Sequence, residues 1–356
     1  MKRYFIFLMG IWALQACYKE KALTPTVLES ATSKFDFPQG TSPADSAIAD
    51  IYEKYGVKLI YREFTQSDVD RGWKSPEGES FISTKCEWEY LGESAQLEQA
   101  VGILKEKVFD LLPDAVVKAA LRACPYLYVA DDIRYAEGSR EQMSIYPVKG
   151  LDSWMVSVAL GHQQPDNHSM RVFYPAQIMC EMFVYAYAGG DVTLPPEFFE
   201  ELNTDVLTLK SYTAATKAGS GTPDYENYWA RRGFPPAVLP TGRIFTGPSH
   251  ASCAINPSVM PPLTAATREV SQFFLFLCLD YNFSWSTYFE QPDGIFYDCP
   301  KLKTRLELFV NRMKEYGIDF EAIRAKLYEG STMDKSPSRY ASKNNSQDLT
   351  FIYADY

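Results

Sequence analysis

The stretch QIMCEMFVYAYAGGD, residues 177–191, is apolar or aromatic over most of its length. It is interrupted by one carboxylate, Glu181, and closed by two glycines. Apolar residues at helical spacing followed by Gly-Gly predict a helix over 171–187 with its stop at Gly189-Gly190. The carboxylate gives this helix a second meaning. In the pattern H-E-x-x-H, two imidazoles four residues apart share one helical face and grip one Zn2+, while the glutamate acts as general base. Here Cys180 stands at the first ligand position, Glu181 at the base and Val184 at the second ligand. The stretch is a damaged metal site, a rebuilt one, or a buried helix with an ordinary structural carboxylate.

Outward from this helix the chain changes character. Toward the N-terminus, Ser42-Pro43 offers an N-cap with proline at the first helical position. Ala47, Ile48, Ile51, Tyr52 and Tyr55 follow at helical spacing, and Gly56 ends the helix. Val57 to Phe64 then alternates as a strand. Residues 67–90 read as loop, 97–112 and 114–122 as helices, and 125–135 as a strand rich in β-branched and aromatic residues. Two short strands are expected in SIYPVKG and SWMVSVAL, divided near Gly150. After the central helix, 196–209, 262–281 and 301–316 read as helical, joined by a Pro/Gly-rich connection over 219–261. The fold class is α+β, a small helix and strand part followed by a mainly helical part.

The extreme N-terminus, MKRYFIFLMGIWALQAC, has a basic start, a short apolar run and Leu14-Gln15-Ala16-Cys17. A bilayer span needs ~20 apolar residues, so this run reads as a secretory signal. The residues before Cys17 form a lipobox, which implies cleavage before Cys17 and lipidation of its thiol. The expected organisation is a signal peptide at 1–16, a lipidated tether at 17–34, one domain at 35–330 and a tail at 331–356. The formal charge is −10, and loss of Lys2 and Arg3 with the signal makes it more negative still. An acidic chain without basic clusters argues against nucleic acid as a partner. Six cysteines remain beyond Cys17 in an oxidising compartment. Disulfides are therefore open, although the irregular spacing also fits small buried hydrophobes.

Several segments, taken in order, carry a family resemblance. FDFPQG leads to IYEKYGVKLIYREFTQSD. LLPDAVVKAALRACPYLYVADDI and the helix at 171–187 follow, then LPPEFFEEL, YWARRGFPPAV and YGIDFEAIRAKL. Together they cover most of residues 35–327, and the chain resembles the substrate-import-associated zinc metallohydrolase lipoproteins, a zinc metallopeptidase family. The resemblance implies a zincin-like domain, an outer-membrane lipid anchor, and a place beside TonB-dependent importers and their binding lipoproteins. The family sets H-E-x-x-H on the central helix and takes an acidic third ligand from a later helix. The matching acidic position falls on or near Gln272, with Glu269 one turn earlier. Catalytic zinc needs about three protein ligands and an open fourth position, and Cys180, Val184 and Gln272 do not supply them. The vestigial base Glu181 then has no metal-bound water to deprotonate. No metal cofactor is expected.

His162, His168, His250 and Cys253 are the candidates for rebuilding a metal site. Cys180 with one of those histidines is the candidate for a nucleophilic pair, and Arg268 is a candidate partner for Glu181. The aromatic stretches 224–232 and 280–289 suit either sugar or peptide recognition, or a core. The expected function is a catalytically inactive accessory lipoprotein of a TonB-dependent import system for glycans or peptides, with the membrane face of the lipid undecided. The alternative is an active zinc-dependent metallopeptidase with a non-standard ligand set. A third reading is a structural envelope lipoprotein.

Overall fold

A computed structural model of the chain describes residues 34–69, 86–92, 94–137, 140–143, 148–149, 152–157, 168–200, 228–231, 233–235, 237–238, 244–245, 265–281, 283–294 and 296–330. The expected signal, Cys17, nearly all of the tether and the tail at 331–356 lie outside these residues. The chain divides into two units, Met1–Phe37 and Pro38–Tyr356, and every helix and strand named below belongs to the second.

Helix α1 (Pro43–Tyr55) shows why local chemistry fixes its ends. The Ser42 hydroxyl accepts from the Asp45 backbone N–H, and the Asp45 carboxylate accepts from the Ser42 backbone N–H at 2.9 Å and its hydroxyl at 2.7 Å. This reciprocal box satisfies donors that a helix start otherwise leaves bare. Gly56, at φ +76°, takes the left-handed conformation that closes the helix and donates to Tyr52 O. The buried positions are Ala44, Asp45, Ile48 and Ile51. Tyr52, expected on the apolar face, is exposed, with the Lys58 ammonium over its ring.

Strand β1 (Lys58–Ile60) enters a four-stranded sheet beside β3 (Tyr126–Ala130), β7 (Ser153–Ser157) and β6 (Val148–Lys149). The β1, β3 and β7 strands run parallel, and β6 pairs antiparallel with β7 at the edge. A parallel sheet is covered on both faces. Accordingly Val57, Leu59, Ile60, Tyr61 and Phe64 are all buried in place of the expected alternation, and all five residues of β7 are buried. The run 125–135 is two strands. At Asp131, whose N–H donates to Glu89 O, the chain leaves the parallel sheet. It continues as β4 (Asp132–Glu137) between β2 (Cys86–Glu89) and β5 (Arg140–Met143) in an antiparallel sheet. The β2 strand falls in a stretch read as loop, because its alternating glutamates hide a short edge strand. Trp88 stacks on Phe64 at 5.3 Å and ties β2 to the core.

Two helices, α3 (Ser94–Leu104, extended by a wide π turn at Lys105–Phe109) and α4 (Asp114–Leu121), lead into the sheet. The short α2 (Gln66–Val69) lies against β7. The later half is helical: α5 (His168–Ala188), α6 (Glu197–Glu200), α7 (Tyr228–Arg231), α8 (Ala265–Leu279), α9 (Pro300–Glu315) and α10 (Phe320–Leu327), with a small β8–β9 pair at 237–238 and 244–245. The α5 helix packs on α4, α8 and α10. Aromatic rings fill the space between helices: Phe183 stacks on Phe274 at 4.8 Å, and Phe273 on Phe309 at 5.4 Å. Such pairs add ~0.5–1.5 kcal/mol each beyond their area burial. Arg305, on α9, is fully buried in this layer. It donates to Phe198 O at 2.8 Å and Gly233 O at 2.6 Å, with its guanidinium over the Phe198 ring. At the end of α8, Arg324 and Tyr328 donate to the carbonyls of Leu277 and Leu279.

Candidate functional site

The α5 helix begins three residues before its predicted start. Pro175 therefore sits inside it and offers no N–H to the carbonyl four residues earlier. The other end follows the glycines: Gly190 has φ +81°, and the Asp191 and Val192 N–H groups return to Ala186 O. Between residues 172 and 184 every side chain is buried except Glu181, which is half-buried. The carboxylate is thus the one point along that length of helix that solvent reaches.

Cys180 and Val184 share the face expected from their spacing, and both are spent on packing. The Cys180 thiol is buried and donates to the Ser271 carbonyl oxygen of α8 at 3.5 Å, a bond that requires the S–H proton. Val184 is buried in the core. Cys124, Cys278 and Cys299 are buried as well. Burial raises the Cys278 thiol and pushes the Cys124 thiol up to about 12. Protonated thiols of this kind are poor nucleophiles and poor metal ligands.

Glu181 has a partner one turn earlier that its own spacing does not advertise. The Gln177 side-chain N–H donates to Glu181 Oε1 at 3.3 Å. Gln177 is only 3 % exposed, and its Oε1 is a buried acceptor with no hydrogen-bond partner among the described residues. One turn beyond Glu181, the Tyr185 ring meets Trp154 of β7 edge-on at 5.0 Å. Gln272 lies on α8 directly after Ser271, whose carbonyl accepts the Cys180 hydrogen bond, and its Oε1 is likewise buried with no partner among the described residues.

Zinc does not fit the described donors. Position 184 has no lone pair to offer, Cys180 keeps its proton on a backbone carbonyl, and Gln272 presents a neutral amide where a charged ligand is needed. No group of three or more His, Cys, Asp or Glu able to hold a metal occurs among the described residues. Of the rebuilding candidates, His162, His250 and Cys253 lie outside the described residues. His168 opens α5, with its side chain outside them, as are the side chains of Arg268 and Glu269 on α8. The aromatic stretch 280–289 contributes Tyr288 and Phe289 to the core. Of 224–232 only the short α7 is described.

Comparisons with protein-family profiles, with curated proteins and with solved structures each return no match. The zincin-like and import-associated assignments therefore rest on the sequence segments alone. The spacing of the H-E-x-x-H pattern located Cys180, Glu181 and Val184, and the family resemblance located Gln272. Neither gave a sign of Gln177, although Gln177 and Glu181 are four residues apart on a helix, the separation at which side chains meet.

Proposed function

We propose that this chain is a lipid-anchored envelope protein of the zinc metallohydrolase lineage that has given up metal and hydrolysis. It serves as a non-catalytic accessory of a TonB-dependent import system, anchored in the outer membrane through Cys17, where it holds peptide or glycan cargo or packs on the transporter's binding lipoprotein. The observation that carries the non-catalytic part is the Cys180 proton committed to Ser271 O beside a buried Val184. A helix whose first ligand position bonds to α8 and whose second is a buried valine retains its base and loses the metal that the base would serve.

The experiment uses the full-length lipoprotein purified in mild detergent. The expected result is less than stoichiometric zinc, no chelator-sensitive peptide hydrolysis, and co-purification with a TonB-dependent transporter. One tightly held zinc per chain together with chelator-sensitive hydrolysis overturns the reading in favour of an enzyme with a non-standard ligand set. Purification without any importer component favours a solitary structural lipoprotein. Radiolabelled palmitate incorporated by the natural protein and lost in Cys17→Ala checks the anchor.

A further inference from the structure

We infer that Tyr316 is a nucleophilic tyrosine, a site at which the protein captures an activated acyl group, such as that of a thioester, on its phenol oxygen. The inference is independent of the α5 site and goes beyond the proposed function. Tyr316 closes α9 and faces Thr193, in the connection between α5 and α6. Its oxygen receives the Thr193 backbone N–H at 3.0 Å and Arg312 Nη2 at 3.0 Å, and the Thr193 hydroxyl lies at 3.2 Å. Arg312 Nη2 also donates to Thr193 Oγ1 at 2.9 Å, which leaves the Thr193 hydroxyl proton free to turn toward the phenol. A neutral phenol has its own O–H and two acceptor positions, whereas a phenolate has room for a third donor. Loss of the phenol proton therefore completes this ring of donors instead of breaking it.

Other tyrosines are set the opposite way. Tyr55 gives its proton to Asp114, Tyr61 to Asp45, Tyr288 to Asp280 and Tyr328 to the Leu279 carbonyl. Such bonds hold only the neutral form, and burial with the Asp45 bond pushes the Tyr61 hydroxyl up to about 12. At Tyr316 burial also works against ionisation. The Thr193 hydroxyl and N–H and the Arg312 charge outweigh it and hold the phenol below its ordinary value. The charges at this junction are Arg312 and, on its other terminal nitrogen, Glu315; in the connection, Asp191 is engaged by Arg122. Thr193 is exposed and Tyr316 half-buried, so a reagent reaches the junction from solvent. The anion is the attacking form. Its oxygen bonds to the acyl carbon, the bond to the leaving group breaks with its electron pair, and the leaving group takes up the proton that the phenol released. By the Brønsted slope of about 0.4–0.5 known for thiolates, each tenfold gain in anion costs about threefold in intrinsic reactivity, so a net gain remains.

The test treats the full-length lipoprotein, in mild detergent, with limiting N-acetylimidazole at a series of pH values around neutrality, and follows acetylated peptides by mass spectrometry. Tyr316 is expected to be acetylated at least about twofold faster than Tyr297, which is 47 % exposed, and its rate is expected to level off at a lower pH. Tyr316→Phe removes the label from that peptide. Arg312→Met takes away a donor and the charge, and Thr193→Val takes away the hydroxyl while keeping the backbone N–H. Both are expected to bring Tyr316 toward the rate of Tyr297, Arg312→Met the further of the two. Should Arg312→Met melt early, Thr193→Val decides the matter. Labelling of Tyr316 no faster than Tyr297, or fast labelling unchanged in Thr193→Val, overturns the inference. Neither outcome touches zinc or hydrolysis, so a failure here leaves the proposed function standing.

Discussion

Asp45 and Gln177 are each 3 % exposed, yet the two regions treat a buried polar side chain in opposite ways. Around α1, Asp45 accepts from the Ser42 backbone and hydroxyl and from the Tyr61 hydroxyl at 3.0 Å. Gln39 nearby accepts from the Tyr61 N–H at 2.8 Å and donates to Arg62 O at 2.8 Å. Both carboxylate oxygens of Asp45 and both ends of the Gln39 amide are used. On α5, Gln177 donates to Glu181, and its oxygen has no partner among the described residues. The start of α1 completes its hydrogen bonds internally, whereas the middle of α5 keeps a buried acceptor that no described residue reaches.

The scaffold is tested most severely at Arg305, whose Nε and Nη1 hold two buried carbonyls. Arg305→Ala strips donors from two buried carbonyls of separate segments and removes a ring-stacked side chain, so a loss of about 3–5 kcal/mol is expected in urea unfolding. A loss below about 1 kcal/mol would show that the carbonyls find other donors. Asp45→Ala comes next. It removes the reciprocal cap and the Tyr61 bond, for an expected loss of about 2 kcal/mol.

The pH response of Asp45 is a gentler probe of the same site. Burial pushes its carboxyl up, but the hydrogen bonds from Ser42 and Tyr61, with the nearby Arg62 charge, outweigh burial and hold it below the ordinary range. A carboxyl lowered in the folded state stabilises the fold fully above its unfolded value of about 3.9, and the contribution fades as pH falls through the lowered value. Stability measured down from pH 6 should therefore decline more steeply in the natural protein than in Asp45→Asn. Parallel curves would remove Asp45 from the acid response. The smallest effect sharpens the other side of the comparison. Gln177→Met removes a buried acceptor that no described residue reaches and, with it, the donor to Glu181; the two changes oppose each other, and the expected net change in stability is within about 1 kcal/mol of zero. A cost near 2 kcal/mol, similar to Asp45→Ala, would place Gln177 with the scaffold.

Features that depend on a few neighbouring residues were legible in the sequence. The Ser42-Pro43 start, the Gly56 stop and the Gly189-Gly190 stop act through adjacent backbone groups, and each is found where those residues predict. The long α5 and the α9 helix follow from apolar spacing. Features that depend on distant segments were not legible. Parallel pairing of β1, β3 and β7 joins Lys58 to Tyr126 and Tyr126 to Ser153, residues 68 and 27 positions apart. Arg305 would be assigned to solvent by its charge, and only the carbonyls of Phe198 and Gly233 explain why it lies inside. The same limit applied to the candidate site. Spacing marked Cys180, Glu181 and Val184, but that the thiol bonds to Ser271 and that the Gln177 oxygen has no donor among the described residues are facts of packing.

The bonds from Arg324 and Tyr328 to Leu277 and Leu279 carry a consequence for how the chain matures. The terminal carbonyls of α8 receive those donors from residues some fifty positions later. During synthesis, α8 emerges from the ribosome with that end still waiting for partners. Closure of that end of α8 is therefore completed only after nearly the whole helical half has been made.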